Sequence, residues 1–358
     1  MPLWVVTWRL GWTLPSAASP ASWHGHEMVL GFAAAVIAGF LLTAVRNWTG
    51  RPTATGVWLA ALAGLWLLGR AAFLFGGLLP SSLRWLAALV DLSCLPALAM
   101  TLALPIVRAS NWRNLGFIAM LVALFVGNML FHLELLARAS ATTFALDIVV
   151  IMIVVMGGRV IPMFSQNGVP GLVITPWRAL DWSVLAAAIS IAACDLIGPS
   201  VAASVVAAVA ALLNFIRLIR WQPLRTRRHP LVWVLHCSYA WVIVGLLLKG
   251  LAPLFVWVPS TPLHALTVGG LGGIVLGMMA RVSLGHTGRL LVASAPMTWA
   301  FVLVNLSALT RAVVPLFAPS LYVHAVDLAG ALWTSAFCLF LWVYWPILTQ
   351  PRVDGKPG

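Results

Sequence analysis

The chain has 358 residues, 62% of them hydrophobic and 8% charged, with a mean hydropathy of +1.02. That composition excludes a soluble domain and defines an integral membrane protein, all-α and polytopic. The net charge of +13 would suggest a nucleic-acid partner in a soluble protein; here it is first read as loop charge, and no nucleic acid is expected.

A helix needs about 20 apolar residues to cross a bilayer. Met1–Leu14 is apolar and rich in tryptophan but too short, so it is either the remnant of a helix or an interfacial segment. It has neither a charged n-region nor a small-residue cleavage site, and no cleavable signal is expected. About eleven full spans follow, predicted at roughly 27–45, 57–79, 85–107, 115–136, 142–164, 179–197, 201–219, 231–251, 263–283, 296–317 and 321–348. Loops are short throughout, which predicts one helical bundle over residues 1–358, without a soluble domain or a clear internal repeat. Cys94, Cys194, Cys237 and Cys338 lie in apolar runs at no metal-binding spacing and read as small core residues.

Basic residues orient these spans. With the short first segment counted as span 1, connections after even-numbered spans hold fifteen: Arg46, Arg51, Arg108, Arg113, Arg159, Arg178, Arg217, Arg220, Arg225, Arg227, Arg228, Arg281, Arg289, Arg352 and Lys356. Connections after odd-numbered spans hold four: Arg84, Arg138, Lys249 and Arg311. By the positive-inside rule, even spans and the C-terminus end in the cytoplasm. Arg70 stands alone inside a span.

With that orientation, five of the eight histidines fall toward the outer side. The run Trp23-His24-Gly25-His26-Glu27-Met28 opens the first full span. Ionisable groups there are costly and usually face a bundle interior, although contact with headgroups is the other reading. Helical geometry puts His24 and Glu27 on one face and His26 on the opposite one, which predicts His24 as the interior residue and His26 as a loop residue. His132 lies one turn beyond Asn128, His264 opens a later span, and His324 precedes Asp327 by three positions. Histidines from several helices at one depth suit a metal or haem site, giving His24, His26, His132, His264 and His324 as candidate ligands. Glu27, Asp91 and Asp327 are candidates for orienting those rings or relaying protons. Each histidine read singly is a hydrogen-bonded residue of the bundle.

Gly269, Gly273 and Gly277 form a stripe that admits either a neighbouring helix or a flat macrocycle. On the inner side stand Gly157-Gly158-Arg159-Val160-Ile161-Pro162 and Arg281-Val282-Ser283-Leu284-Gly285-His286-Thr287-Gly288-Arg289. Arg159, Arg281 and Arg289, with His286, are candidates for holding the carboxylates of a cofactor; anchoring helices at headgroups is the alternative.

These two inner motifs, the Trp23–Met28 run, Asn111-Trp112-Arg113-Asn114 and the tail Pro351-Arg352-Val353-Asp354-Gly355-Lys356-Pro357-Gly358 resemble the NnrS family. The resemblance runs from about Trp23 to the C-terminus and implies a bacterial inner-membrane protein containing haem and copper. It implies a role in denitrification and in protection against nitric oxide. It also implies twelve helices, a pattern from which the short first segment departs.

The leading expectation is therefore a haem- and copper-binding membrane protein acting on nitrosative stress, with redox chemistry on nitric oxide left open. The lipid bilayer is its first partner. No span carries adjacent histidines or a His-x-x-x-Tyr/Glu pair, which separates the chain from a familiar haem–copper oxidase. A proton- or metal-coupled transporter, using Asp91, Asp147 and Asp327, is the second reading, disfavoured by the lack of detectable inverted repeats and of broken paired helices. A partner in assembly of a respiratory enzyme is the third.

Overall fold

The computed structural model describes residues 2–198, 200–255 and 260–355, and every regular element in them is helical. Lys356, counted above among the inner charges, and the end of the tail motif lie outside the described residues. A short helix α1 (Pro2–Leu10) precedes eleven helices long and apolar enough to cross a membrane. These are α2 (Pro20–Thr49), α3 (Gly56–Leu78), α4 (Ser81–Arg108), α5 (Trp112–His132), α6 (Arg138–Gly168), α7 (Arg178–Ile197), α8 (Val201–Arg220), α9 (Pro230–Leu251), α10 (Thr261–His286), α11 (Ala295–Phe317) and α12 (Pro319–Thr349). The protein is a polytopic all-α membrane protein, with span number as expected from its apolar runs.

The largest departure in a helix boundary is α2, which starts at Pro20 rather than near residue 27. Two histidines and a glutamate dilute the apolar run there, but the local start signal is strong. The Ser19 hydroxyl accepts from the Ser22 N–H, and Pro20 occupies the first turn, where its missing N–H costs nothing. Inside α2, residues Glu27–Ala33 form a π-helical segment, and α10 contains a second one at Ala265–Leu271. Such segments widen the turn by one residue and are frequent at functional sites.

The two π-helical segments match. Each begins directly after a histidine, and His264 stands 238 positions after His26. The same spacing relates Gly31 to Gly269, Gly39 to Gly277, and Thr49-Gly50-Arg51 to Thr287-Gly288-Arg289. Gly50 and Gly288 both take left-handed backbone, at φ 65° and 73°, where glycine carries no Cβ penalty. It also relates the short 3₁₀ turns Ser81–Leu83 and Pro319–Leu321, which lead into α4 and α12. Thus α2–α4 and α10–α12 repeat one local architecture, contrary to the expectation of no internal repeat. Few side chains are shared, so it is visible mainly in backbone conformation.

By packing, the chain divides into two compact units. The first comprises Leu3–Met152 with Asp195–Gly198; the second comprises Ile153–Cys194 and the described residues from Ser200 onward. In the first unit α4 packs on both α3 and α5, and Leu41, Leu102, Ile106, Leu121, Leu124 and Phe131 are fully buried. Only 11% of the apolar window of α3 is buried, and its exposed Val57, Trp58, Leu67 and Leu68 suit contact with lipid. In the second unit α9 packs against α8 and α10, and α11 against α12. A Cβ on Gly269, Gly273 or Gly277 would collide with Trp241, Ser238 or Val234 of α9, respectively. The glycine stripe is therefore a helix-packing surface and has no macrocycle lying on it.

Candidate metal centre

The first unit gathers ionisable residues from four helices. His26 lies just before the π-helical segment of α2, Arg70 in α3, Asp91 in α4, and Asn128 and His132 one turn apart in α5. His26 is completely buried and Asp91 is 1% exposed. Asp91 Oδ2 accepts from His132 Nε2 at 2.8 Å and from Asn128 Nδ2 at 2.9 Å, with His26 Nε2 at 3.2 Å. His26 Nε2 also lies 2.9 Å from Asn128 Oδ1. Arg70 binds Asp91 Oδ1 through Nη2 and Glu27 Oε1 through Nη1, the latter at 2.8 Å.

This arrangement depends on local features of the helices. A Cβ on Gly31 would sit 2.8 Å from Glu27 Oε2 and 3.0 Å from Arg70 Nη1, so glycine makes room for that ion pair. The Gly31 carbonyl, within the widened turn, accepts from Trp66 Nε1 at 3.0 Å. A Cβ on Gly69 would lie 3.3 Å from Asp91 Cα, and its absence lets α3 and α4 approach closely. Phe73 and Phe131 pack on the His26 ring at centroid distances of 4.1 and 4.7 Å, excluding water from its faces.

One donor atom each from His26, Asp91 and His132 lie within 4.8 Å of one another. Two imidazoles and a carboxylate are a donor set for copper, iron or zinc. Two carboxylates surround one guanidinium, so with neutral histidines the cluster is net negative and attracts a cation. The partners of His26 Nε2 are both oxygen acceptors, so Nε2 carries the proton and Nδ1 holds the lone pair. That buried Nδ1 has no hydrogen-bond partner among the described residues, and Glu27 Oε1 lies 3.8 Å away. A lone pair facing a carboxylate is stabilised by a cation between them. The donor set and the charge fit a metal ion, which would take the place of the Nε2 protons that His26 and His132 direct at Asp91; the orphaned Nδ1 faces Glu27 instead. Without one, Asp91 with its histidine, asparagine and arginine donors is a nearly closed network.

His24 and His26 do point to opposite sides, but the interior belongs to His26. His24 is half-buried and stacks on Trp4 of α1, with ring centroids 4.4 Å apart. The earlier start of α2 places both histidines in helix, where α1 covers the His24 side. Arg70 is the member of the cluster that sequence reasoning left unassigned. Its signal was present: a lone arginine in an apolar span requires buried counter-charges.

The remaining candidates belong to the second unit. His264 is half-buried, His324 is exposed and Asp327 is half-buried. Arg159 lines a cavity of about 270 Å³ with Arg217, Arg220, Trp177 and Trp221. Arg217 is buried there, donating to the Val154 carbonyl at 2.9 Å and pairing with Asp181 at 2.6 Å. A Cβ on Gly158 would strike its guanidinium, which explains the second glycine of that motif. Arg281 is also buried, with its guanidinium 4.1 Å from the Phe164 ring centre. His286 and Arg289 lie at the end of α10, where the tail docks. Arg352 donates to the His286 carbonyl at 2.6 Å, and the Val353 N–H donates to the Thr287 carbonyl at 3.2 Å. The structure thus distributes Arg159, Arg281, His286 and Arg289 between a cavity, an aromatic contact and a helix terminus.

Fold and cluster define a polytopic helical membrane protein with a buried histidine–carboxylate centre. The chain belongs to the NnrS family: the family model described as NnrS protein matches residues 1–352. Among curated proteins and solved structures, none matches.

Proposed function

We propose that the chain is a haem- and copper-binding protein of the bacterial inner membrane, acting in the response to nitric oxide that accompanies denitrification. The observation that carries this reading is the buried His26–Asp91–His132 cluster, whose donor set and net negative charge suit copper. Family membership supports the same reading. His26 and His132 supply nitrogen donors and Asp91 an oxygen. Arg70 holds Asp91 in place, and Asn128 bridges Asp91 to His26. Glu27, with a side chain 18% exposed against 0% for His26, is the group through which protons reach the centre. A bound copper ion supplies one-electron chemistry and a position for a small neutral ligand such as nitric oxide.

The charge bias supports an orientation with the α8–α9 loop and the C-terminus in the cytoplasm. Reporter fusions in the Leu224–His229 loop and after Arg352 are expected to be active only in the cytoplasm; periplasmic activity at both reverses the orientation. For the function, the test is an optical spectrum and metal analysis of the purified protein. A Soret band with bound copper supports the reading, and colourless, copper-free protein overturns it.

A transporter reading is favoured by one feature, the Arg70 guanidinium shared between Glu27 and Asp91 inside apolar helices. The α2–α4 and α10–α12 repeat, parallel by the charge bias, is also of a kind found in transporters. Colourless, copper-free protein that carries protons or metal ions across vesicle membranes would establish this second reading.

A further inference from the structure

We propose that the cavity lined by α6, α7 and α8 in the second unit is a phosphate-binding site built on Arg217 and Arg220, the phosphate being carried by an anionic phospholipid headgroup or free in solution. Such a site neither uses the His26 cluster nor depends on a bound metal. Three arginines, Arg159, Arg217 and Arg220, and one carboxylate, Asp181, line the cavity, so its wall carries a surplus of positive charge that attracts anions. Arg217 and Arg220 lie three positions apart on α8 and share a helix face.

Arg217 is the fixed member. It is 6% exposed and donates from Nη1 to the Val154 carbonyl at 2.9 Å and to the Tyr239 hydroxyl at 3.1 Å, while that hydroxyl donates to Asn214 Oδ1. Asp181 meets its Nη2 at 2.6 Å, but this carboxylate is 43% exposed, so water weakens its hold. The Arg217 Nε is buried with no hydrogen-bond partner among the described residues. Arg220 is the open member. It is exposed, its guanidinium lies 5.0 Å from the Trp177 ring centre, and among the described residues no carboxylate pairs with it. Stacking occupies the face of a guanidinium and leaves its N–H edge for an oxygen acceptor. Trp221 lies against Arg217 in the same way, at 5.2 Å. Two braced arginines on one helix face suit phosphate, whose oxygens accept from a guanidinium in pairs.

The cavity is preformed. Gln166 Oε1 accepts from the Ile174 N–H at 3.1 Å, and the Val173 and Gly171 carbonyls accept from Gln222 Nε2 at 2.9 Å and Arg225 Nη2 at 3.3 Å, which fastens the α6–α7 connection to the residues that follow α8. Its volume of about 270 Å³ lies below the range of about 300–1,000 Å³ that encloses a whole drug-sized ligand, which suits a small anionic group. Met163, Ile174 and Leu180 add an apolar wall, and Arg225, Arg227 and Arg228 follow on the α8–α9 connection. Basic pockets between membrane helices at the end rich in positive charge hold phospholipid headgroups.

The test is the thermal midpoint of the purified full-length protein in detergent, titrated with phosphatidylglycerol, phosphatidylcholine or inorganic phosphate, since a ligand of the folded state raises the midpoint by mass action. Wild type is expected to respond to phosphatidylglycerol at concentrations about tenfold or more below those needed of phosphatidylcholine. Arg220→Gln, a change at an exposed residue, is expected to keep the lipid-free midpoint and to weaken the phosphatidylglycerol response by about tenfold. Arg113→Gln, at an exposed arginine of the first unit, is expected to leave that response intact. An equal response of wild type to inorganic phosphate supports the site with free phosphate as its ligand; a response to phosphatidylglycerol alone supports it with the headgroup. Equal responses to both lipids with none to phosphate, or a phosphatidylglycerol response unchanged in Arg220→Gln, overturn the site. Equal weakening in Arg113→Gln also overturns it, because attraction to basic surface in general then accounts for the binding.

Discussion

The helix triplets α2–α4 and α10–α12 share a backbone plan but dispose of charge differently. In the first, Arg70 is held between Glu27 and Asp91, and Asp91 collects donors from His132, Asn128 and His26. In the second, alanine replaces the glutamate and the buried Arg311 keeps open donors. The comparison shows that a repeated scaffold fixes where the histidine and the widened turn stand, while the residue that follows the histidine decides the charge beside it. A site with its own counter-charges suits a bare cation.

The largest effect is expected where the first site is most connected. Asp91→Ala removes the acceptor shared by four side chains and leaves Arg70 with Glu27 alone, a loss of about 3–5 kcal/mol by analogy with broken buried ion pairs. Thermal unfolding in detergent measures it, and an unchanged midpoint would mean that the cluster contributes little to the first unit. Next are the paired glycines. Gly277→Ala drives a methyl into Val234 and is expected to cost about 1–3 kcal/mol. Its counterpart Gly39 has nothing within 4 Å of an added Cβ, so Gly39→Ala is expected to be neutral or stabilising by up to about 1 kcal/mol. Equal destabilisation by both substitutions would contradict the different packing of the two triplets. Glu27→Gln keeps an oxygen that accepts from Arg70 but removes the charge that pairs with it, at about 1–3 kcal/mol; a midpoint unaffected by this change would remove the charge contrast. The smallest effect is expected from His24→Ala, which loses one stacking contact with Trp4, about 0.5–1.5 kcal/mol.

Much of the fold was legible because bilayer thickness dictates span length and lipid leaves helices few alternatives. The apolar runs located all eleven long helices, and His26, Asp91 and His132 were each singled out as ionisable residues in costly places. Their convergence was not legible, because no periodicity along one helix reports on contacts between helices. The choice of His24 over His26 for the interior failed for a related reason. Projection separates two faces of a helix but does not say which is covered, and the extension of α2 back to Pro20 places Trp4 of α1 over the His24 side. Arg70 was visible as a lone charge, but its partners lie on α2 and α4. The repeat escaped because packing rewards volume and backbone shape, so Ala265 and Glu27 occupy one register with unrelated chemistry.

The claim that the buried cluster holds copper is tested most directly by copper content and electron paramagnetic resonance of purified wild type, His26→Ala, His132→Ala and His24→Ala, with circular dichroism verifying the fold. Wild type and His24→Ala are expected to bind copper with the same nitrogen-coordinated spectrum. His26→Ala and His132→Ala are expected to lose it by about tenfold or more while remaining helical. Full copper occupancy with an unaltered spectrum in both of these variants would contradict the assignment.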